Sequence, residues 1–285
     1  MRFCFFSDDR LGLVEGQAVR DVTAALNALP AARYPYPTHD VFIAGLSSII
    51  ERIRMIPDDG ERLSLASVSL QCPVRNPGKL IAAPVNYTAH LKEAIADETT
   101  FSRAHVQRIQ DTGLFLKATS SLIGSGSTIE VRQTGRRTDH EIELAVVIGS
   151  AGRDIARWRA LEHVAGYCIG LDITMRGPEE RSLRKSVDTY SVIGPWLVTA
   201  DEFGDPAGRG VQLCVNGEAR QLANTRDLIL DVPALIAFAS GFYTLHPGDV
   251  IFTGTPAGVG PIFAGDVIEA AIEGLGEFSI EVREG

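Results

Sequence analysis

Alternation of apolar and polar residues along the chain predicts a strand-rich fold. Beyond about residue 75, short apolar segments alternate with Gly, Pro and Asp turns, which is typical of β-strands joined by tight connections. Strands are predicted at "STIEV", "EIELAVVIG", "GYCIGLDIT", "VIGPWLVT", "VQLCVNGEARQ", "GDVIFTG", "GDVIEAAIEG" and "EFSIEV". The pattern therefore indicates a β-rich α+β protein.

Two helices and one hairpin turn are predicted within this strand-rich part. The segment "VPALIAFASGFYTL" follows Asp231, a good N-cap, and carries Pro233 in its first turn. The segment "IARWRALEHV" is the second helix. Asn216 and Gly217 predict a tight hairpin turn because both residue types accept positive φ.

The first 75 residues have a different pattern. Short strand patterns ("RFCFF", "LGLVE", "QAVRDV") precede helical patterns around residues 24–29 and 41–54. The Pro- and Gly-punctuated stretch "PVRNPGKL" then interrupts them. We therefore expect a small N-terminal α/β domain over residues 1–75 and a larger catalytic domain over residues 76–285.

The predicted strand at residues 139–149, "DHEIELAVVIG", carries two carboxylates in an apolar setting. Glu141 and Glu143 are two residues apart, so a strand places both side chains on one face. In the next strand, "GYCIGLDIT", Asp172 shares a face with small residues. Three oxygen donors without sulfur favour a hard cation such as Mg²⁺, Mn²⁺ or Ca²⁺. The alternative is a solvated face of an edge strand.

Other polar residues could act beside such a cation. His90 and Glu93 would share one face of a helix, and a carboxylate that orients an imidazole suits a general base. Arg176 and Lys185 follow the aspartate strand and suggest an anionic substrate. The Gly-rich "TGTPAGVG" offers backbone N–H groups and the Thr255 hydroxyl to a carboxylate. The alternatives are that the His90–Glu93 pair lies on the surface, that the two basic residues lie in a solvated loop and that the Gly-rich segment is only a tight turn.

Composition narrows the function classes. A net charge of −9 argues against a nucleic-acid-binding protein. No segment approaches the roughly 20 apolar residues of a membrane-spanning helix. The start, "MRFCFFSDDRLG", lacks the pattern of a targeting segment, and the four cysteines form no C-x-x-C pair. We therefore expect a cytoplasmic protein that acts on a small molecule, without nucleic-acid or membrane partners.

The order of these motifs resembles the fumarylacetoacetate hydrolase family. "NYTAHLKE", "FLKATSS", "DHEIELAVVIG", "GLDIT", "RKSVDT" and "FASGFYTLHPGDVIFTGTPAGVG" follow the family's order over about residues 78–285. The resemblance implies a mixed β-sandwich-roll catalytic domain, a small N-terminal domain and a homodimer. It also implies a divalent ion, Mg²⁺ or Mn²⁺, and C–C hydrolysis of an acylpyruvate-type β-diketo acid, such as fumarylpyruvate or maleylpyruvate, in aromatic-compound catabolism.

The resemblance also implies a role for each candidate residue. His90 would activate water with Glu93 as its partner, and Lys185 would stabilise developing negative charge. The implied metal ligands are Glu141, Glu143 and Asp172. The implied substrate-pocket residues are Asn86, Tyr87, Lys117, Arg176 and Thr255.

One loop departs from the family pattern. Many relatives read D-x-[ST]-A-R-D-x-Q, whereas this chain reads "DITMRGPEERSLRKSVDT", with Arg176 retained, Gly177 and Pro178 next, and Glu179 where a glutamine is usual. An oxaloacetate decarboxylase and a 2-hydroxyhepta-2,4-diene-1,7-dioate isomerase therefore stay open, as does a non-catalytic binding protein. The polar segment at residues 94–111 predicts a helix, a lid over the site, or both.

Overall fold

A computed structural model of the chain describes residues 1–57, 61–96 and 109–285. The strands are β1 Arg2–Phe6, β2 Arg10–Glu15, β3 Ala18–Asp21, β4 Arg62–Ser64, β5 Leu70–Gln71, β6 Leu80–Ala82, β7 Phe115–Lys117, β8 Leu122–Gly124, β9 Thr128–Val131, β10 Thr138–His140, β11 Ile142–Ile148, β12 Val164–Asp172, β13 Thr174–Met175, β14 Ser191–Thr199, β15 Gly210–Val215, β16 Glu218–Asn224, β17 Val250–Phe252, β18 Gly260–Pro261, β19 Val267–Ile272 and β20 Gly276–Glu284. The α-helices are α1 Val41–Ala44, α2 Leu46–Met55, α3 Thr88–Ala96, α4 Ile109–Thr112, α5 Arg181–Lys185, α6 Ala200–Phe203 and α7 Val232–Phe242.

These strands form a mixed, strand-rich α+β fold, as the alternation predicted. The largest sheet has the order β4-β3-β2-β1-β14-β12-β11-β17-β6-β7, with β5 beside β1 and β8 beside β14. A five-stranded sheet has the order β16-β15-β19-β20-β9, and a small sheet has the order β13-β10-β18. The chain passes from the small sheet into the largest one between β10 and β11, at Glu141.

The central strands of the largest sheet alternate their side chains between two apolar cores. On β11, Ile142 and Leu144 pack in one core, and Ala145 packs in the other. On β12, Leu171 joins the first core and Cys168 the second. Because both faces of this strand pair are covered, its sequence is almost continuously apolar.

The first 75 residues join the largest sheet. β1 pairs with β14 in antiparallel register, with Phe3 opposite Leu197. The ring of Phe42 on α1 packs edge-on against Phe3 and Phe5, with ring centroids 5.8 and 5.1 Å away. Backbone pairing thus connects this part to the rest of the chain, and the domain boundary near residue 75 stays a prediction.

Local sequence signals predicted two helical segments that the structure contains. The Asp231 carboxylate accepts the Ala234 N–H at 2.9 Å and caps α7. The helix predicted at "IARWRALEHV" is a 3₁₀ helix over Arg157–His163. Trp158 and Leu161 are exposed there, so no apolar stripe stabilises a regular helix.

The segment predicted as a helix or lid is only partly described. α3 ends at Ala96 and α4 begins at Ile109, and residues 97–108 lie outside the described residues. Within the part of the chain that the structure describes, no helix is long and apolar enough to cross a membrane.

Candidate active site

Three carboxylates converge at one end of the β11–β12 pair. Glu141, Glu143 and Asp172 are buried, and each places an oxygen within 4.8 Å of the other two. The Asp172 N–H donates to the Glu141 carbonyl at 2.9 Å, which fixes the two strands side by side. Opposite Glu143 is Gly170, where a Cβ would lie 2.9 Å from the Phe252 ring. The three side chains share one face, as strand alternation predicted.

Two buried lysines contact this carboxylate cluster. The Lys185 ammonium donates to Glu141 at 2.7 Å and to Asp172 at 2.6 Å. It also donates to the Thr174 hydroxyl at 2.7 Å. The Lys117 ammonium donates to the other oxygen of Asp172. Both lysines therefore hold the carboxylates in place through charge-assisted hydrogen bonds.

Arg176 bridges two buried carboxylates at the start of β11. Its Nε donates to Asp139 at 2.7 Å, and its Nη2 donates to Glu141 at 2.9 Å. Arg137 holds the other oxygen of Asp139 at 2.7 Å. These described contacts orient the implied metal ligand Glu141, whereas capture of a substrate carboxylate by Arg176 stays a prediction.

The two glutamates of the cluster differ electrostatically. Burial raises the pKa of Glu141, but the Lys185 and Arg176 charges outweigh it and lower the pKa to about 2. Burial and then the Asp172 charge raise the pKa of Glu143 well above its usual value, and Lys185 offsets this only in part. The cluster therefore favours one more positive charge beside Glu143, which either a proton or a cation can supply.

The donor set fits a hard divalent cation. The three groups offer carboxylate oxygens, the ligands that Mg²⁺, Mn²⁺ and Ca²⁺ prefer, and water or substrate oxygens can complete the coordination. The Gly254 N–H donates to Glu143 at 2.6 Å and orients that ligand from outside the cluster. The chemistry of the cluster is thus consistent with the Mg²⁺ or Mn²⁺ that the sequence motifs imply.

The buried His90 and the half-buried Glu93 form a pair on α3. The His90 Nδ1 lies 2.8 Å from the Glu93 carboxylate. Burial raises the pKa of Glu93, but hydrogen bonds from His90 and from the Gly258 N–H lower it below its usual value. An ionised Glu93 holds the proton on Nδ1, so the lone pair of the neutral imidazole is on Nε2. This tautomer suits a base that accepts a proton through Nε2.

The loop at residues 253–258 connects the carboxylate cluster to this pair. Its Gly254 N–H binds Glu143, and its Gly258 N–H binds Glu93 at 2.9 Å. Both glycines have positive φ, +97° and +94°, which side-chain-bearing residues rarely adopt. The sequence suggested that these N–H groups hold a carboxylate, and the carboxylates they hold are the protein's own.

Two of the implied pocket residues make scaffold contacts. The Asn86 amide donates to the carbonyls of Leu230 and Thr253 at 2.9 and 2.8 Å, and its oxygen accepts the Leu230 N–H at 2.8 Å. The Thr255 hydroxyl donates to the Ile142 carbonyl at 2.9 Å. These contacts fasten the loop at residues 253–258, and a direct substrate contact by either residue stays a prediction.

Tyr87 and Lys117 are buried near the cluster. Burial raises the pKa of the Tyr87 phenol, and the charge of Glu143 raises it further, so the phenol stays protonated. Burial lowers the pKa of Lys117, and the charge of Asp172 opposes this effect. A direct substrate contact by Tyr87 or Lys117 stays a prediction.

Sequence reasoning missed two buried polar residues that the structure brings into the site. Asp139 accepts a hydrogen bond from Arg176. The fully buried Gln221 on β16 contacts both β11 and the loop at residues 253–258. No sequence signal marks Gln221, because its apolar neighbour Leu222 is the residue that a strand would be expected to bury, whereas the structure exposes Leu222 and buries Gln221. Glu179, which stands where many relatives have a glutamine, accepts two hydrogen bonds of 2.7 Å from Arg136, so an ion pair braces the loop that departs from the family pattern.

Comparison with known proteins identifies the family. A family model described as the fumarylacetoacetate (FAA) hydrolase C-terminal domain matches residues 79–283. A maleylpyruvate hydrolase from Aquipseudomonas alcaligenes is 53% identical over 285 residues, covering 99% of each chain. The mitochondrial oxaloacetate tautomerase of Xenopus laevis is 37% identical over 230 residues, covering 76% of this chain and 69% of that protein.

Solved structures agree with this match. A crystal structure of maleylpyruvate hydrolase from Sphingobium sp. SYK-6, in complex with manganese(II) ion and pyruvate, has a TM-score of 0.85 and 40% identity, with 100% of both chains covered. The family model covers more than half of the chain, including every residue of the carboxylate cluster and the His90–Glu93 pair. The chain belongs to the fumarylacetoacetate hydrolase family.

Proposed function

We propose that the protein is a divalent-metal-dependent hydrolase that cleaves a C–C bond in an acylpyruvate-type β-diketo acid, with maleylpyruvate as its substrate. The observation that carries the proposal is the loop at residues 253–258, which binds a glutamate of the carboxylate cluster and a glutamate of the base pair. The two whole-chain relatives named maleylpyruvate hydrolase support the substrate.

In this proposal the carboxylate cluster binds a Mn²⁺ or Mg²⁺ ion through Glu141, Glu143 and Asp172. When bound, such an ion polarises substrate oxygens as a Lewis acid and stabilises negative charge that develops on them. Arg176 and Lys185 keep Glu141 ionised and oriented through their described contacts. The preorganised ligands therefore need little rearrangement.

His90 acts as the general base in the proposed reaction. Its Nε2 takes a proton from water, while the Glu93 carboxylate stabilises the imidazolium that forms. The water oxygen adds to the carbonyl carbon on the acyl side, and the bond from that carbon to the adjacent methylene breaks. The electron pair remains on the pyruvate half, which a proton then converts to pyruvate. The acyl half leaves as a carboxylic acid, maleic acid when the substrate is maleylpyruvate.

Lys185 contributes positive charge to the cluster. Its ammonium lies within hydrogen-bond distance of both Glu141 and Asp172, in a buried setting where charges interact strongly. It can therefore stabilise the negative charge that the pyruvate half carries after the bond breaks.

A substrate panel tests the proposal. The metal-loaded protein is assayed by absorbance with maleylpyruvate, fumarylpyruvate, acetylpyruvate, oxaloacetate and 2-hydroxyhepta-2,4-diene-1,7-dioate. We expect rapid loss of maleylpyruvate with equimolar pyruvate and maleate as products, and activity that disappears with a chelator and returns with Mn²⁺. Inert acylpyruvates together with rapid decarboxylation of oxaloacetate, or with isomerisation of the dienedioate, would overturn it. A protein inert towards all five would support the non-catalytic alternative.

The oligomeric state and the compartment belong to the same proposal. The family motifs imply a homodimer, and we propose that it works in the cytoplasm. Light scattering should then give twice the chain mass of 30.7 kDa. A monomer mass at assay concentration would contradict the dimer.

A further inference from the structure

Gln221 is an unusual residue for its position in the fold. It lies on β16, the edge strand of the five-stranded sheet, and is the one fully buried side chain of that strand. Its neighbour Leu222 is 79% exposed. An inward position on a half-buried strand is usually apolar, because a buried amide is costly unless its hydrogen bonds are satisfied.

The Gln221 amide satisfies all of its hydrogen-bonding capacity. Its Nε2 donates to the Thr255 hydroxyl and to the Pro256 carbonyl, each at 2.8 Å. Its Oε1 accepts the Ile142 N–H at 3.1 Å and lies 3.1 Å from the His140 Nδ1. Two donors and two acceptor sites are the full inventory of this side chain.

These contacts replace a missing strand neighbour. β17 pairs with β11 from Val147 to Ala145, and its last backbone contact is the Thr253 N–H with the Leu144 carbonyl at 3.1 Å. Beyond that point, Gln221 accepts the N–H of Ile142, and Thr255 donates to the carbonyl of the same residue. Two side chains thus continue the ladder at the residue between the two glutamates of the cluster.

The same side chain holds the loop that carries the base pair. The loop approaches β16 so closely that a Cβ on Gly258 would lie 2.1 Å from the Arg220 carbonyl. The Gly258 N–H binds Glu93 from this position, three residues after the Thr255 hydroxyl that Gln221 holds. The Gln221 amide therefore lies between the strand that carries Glu141 and Glu143 and the loop that holds Glu93.

We propose that Gln221 is a positioning residue that couples the geometry of the Glu141–Glu143 strand to that of the loop holding Glu93. It touches neither the reacting atoms nor the ion, and it acts through Ile142 and Thr255. The effect on turnover rests on the proposed function, whereas the effect on metal binding does not.

Gln221→Leu tests the proposal, because leucine keeps the size and leaves the Ile142 N–H and the Pro256 carbonyl without their described partner. We expect Mn²⁺ affinity, measured by calorimetry, to fall about 10-fold or more, and kcat to fall about 100-fold with KM changed much less. Gln212→Leu, on the exposed face of the neighbouring strand, is the matched control. It should change neither quantity.

Gln221→Glu separates the contact with Ile142 from the contact with the loop at residues 253–258. It also provides a test if the leucine variant does not fold. Glutamate retains an acceptor for the Ile142 N–H, but when ionised it cannot donate to Pro256. We therefore expect near-normal Mn²⁺ affinity with a reduced kcat that partly recovers as pH falls and the side chain gains a proton. The wild-type chain itself should show slow hydrogen exchange at the Ile142 amide.

Either of two results overturns the proposal. One is a Gln221→Leu variant with the Mn²⁺ affinity and kcat of Gln212→Leu. The other, which needs no variant, is rapid exchange of the Ile142 amide in the folded wild-type protein. Failure of the proposed function is a different outcome, since maleylpyruvate would then be inert in wild type while the Mn²⁺ affinities of the variants still differ.

Discussion

Two ends of the same sheet face have opposite character. At one end of the β11–β12 pair, Glu143 and Asp172 meet lysines and backbone N–H groups. A few residues along the same face, Ala145 and Cys168 are packed beside Phe252 in an apolar core. The strands continue without interruption between them, so side-chain alternation alone does not decide which end becomes the site.

The difference arises from where a neighbouring strand ends. β17 covers the apolar end with backbone pairing and then stops at Phe252. Beyond it, the Gly254 N–H turns towards Glu143 and the Thr255 hydroxyl turns towards Ile142. Donors that a strand would have used for pairing become available to a buried carboxylate. A polar site therefore forms inside the sheet at the point where strand pairing ends and where lysine side chains reach the carboxylates.

Removing a carboxylate at the polar end should have the largest effect. Glu143→Gln keeps the size of the side chain but removes a charge that a divalent ion needs, so we expect loss of Mn²⁺ binding and a fall in kcat/KM of about 10³-fold. Glu269→Gln, on an exposed strand position, is the control and should leave both unchanged. Mn²⁺ binding of normal strength by Glu143→Gln would refute the assignment of this end as the metal site.

Loss of the base should separate chemistry from metal binding. His90→Gln removes the proton acceptor and leaves the carboxylate cluster intact, so kcat should fall about 10²- to 10⁴-fold while Mn²⁺ affinity stays within about twofold. Stopped-flow assays and calorimetry measure the two quantities. A variant that still hydrolyses the substrate normally while losing Mn²⁺ affinity would reverse the roles given to the two groups.

Metal binding at the polar end should depend on pH. Because the pKa of Glu143 is raised, this side chain carries a proton at pH values where an ordinary glutamate is ionised, and the ion must displace it. Mn²⁺ affinity should therefore fall by about tenfold per pH unit below that raised pKa and level off above it. Calorimetry in two buffers of different ionisation enthalpy counts the released proton. Affinity that is independent of pH, with no proton release, would contradict this.

A substitution at the apolar end should have the smallest effect on function. Burial raises the pKa of the Cys168 thiol well above its usual value, so this group is a neutral core residue. Cys168→Ser should lower the free energy of unfolding by about 1–3 kcal/mol because it buries a hydroxyl, and Mn²⁺ affinity should not change. The half-buried Cys214→Ser is the comparison for thermal unfolding. A loss of metal affinity in Cys168→Ser would show that the two ends are not independent.

The sequence predicted those parts of the site that depend on spacing within one strand or helix. The two-residue spacing of Glu141 and Glu143 puts them on one face, and the three-residue spacing of His90 and Glu93 allows them to pair on α3. The hairpin at Asn216 also follows from local chemistry, since its φ is +53°. Local rules hold where the partner is a few residues away.

Contacts between distant segments could not be predicted in this way. Gln221 meets Ile142 across 79 residues, and Gly258 meets Glu93 across 165. Neither contact follows from periodicity, because each depends on how distant segments of the chain pack together. The 3₁₀ type of the helix at residues 157–163 could not be predicted for a related reason, since tertiary packing and not propensity decides the form of short helices.

The pairing of β1 with β14 affects how readily the protein associates with other copies of itself. β14 is bonded to β12 on one side, and on the other side β1 covers Leu197 and Val198. Without the first 75 residues, this stretch of a long apolar strand would become a bare edge with unpaired N–H and C=O groups. Such edges recruit strands from other molecules. The N-terminal part thus protects the sheet against self-association, and a fragment beginning at residue 76 should precipitate at concentrations where the full chain stays dispersed.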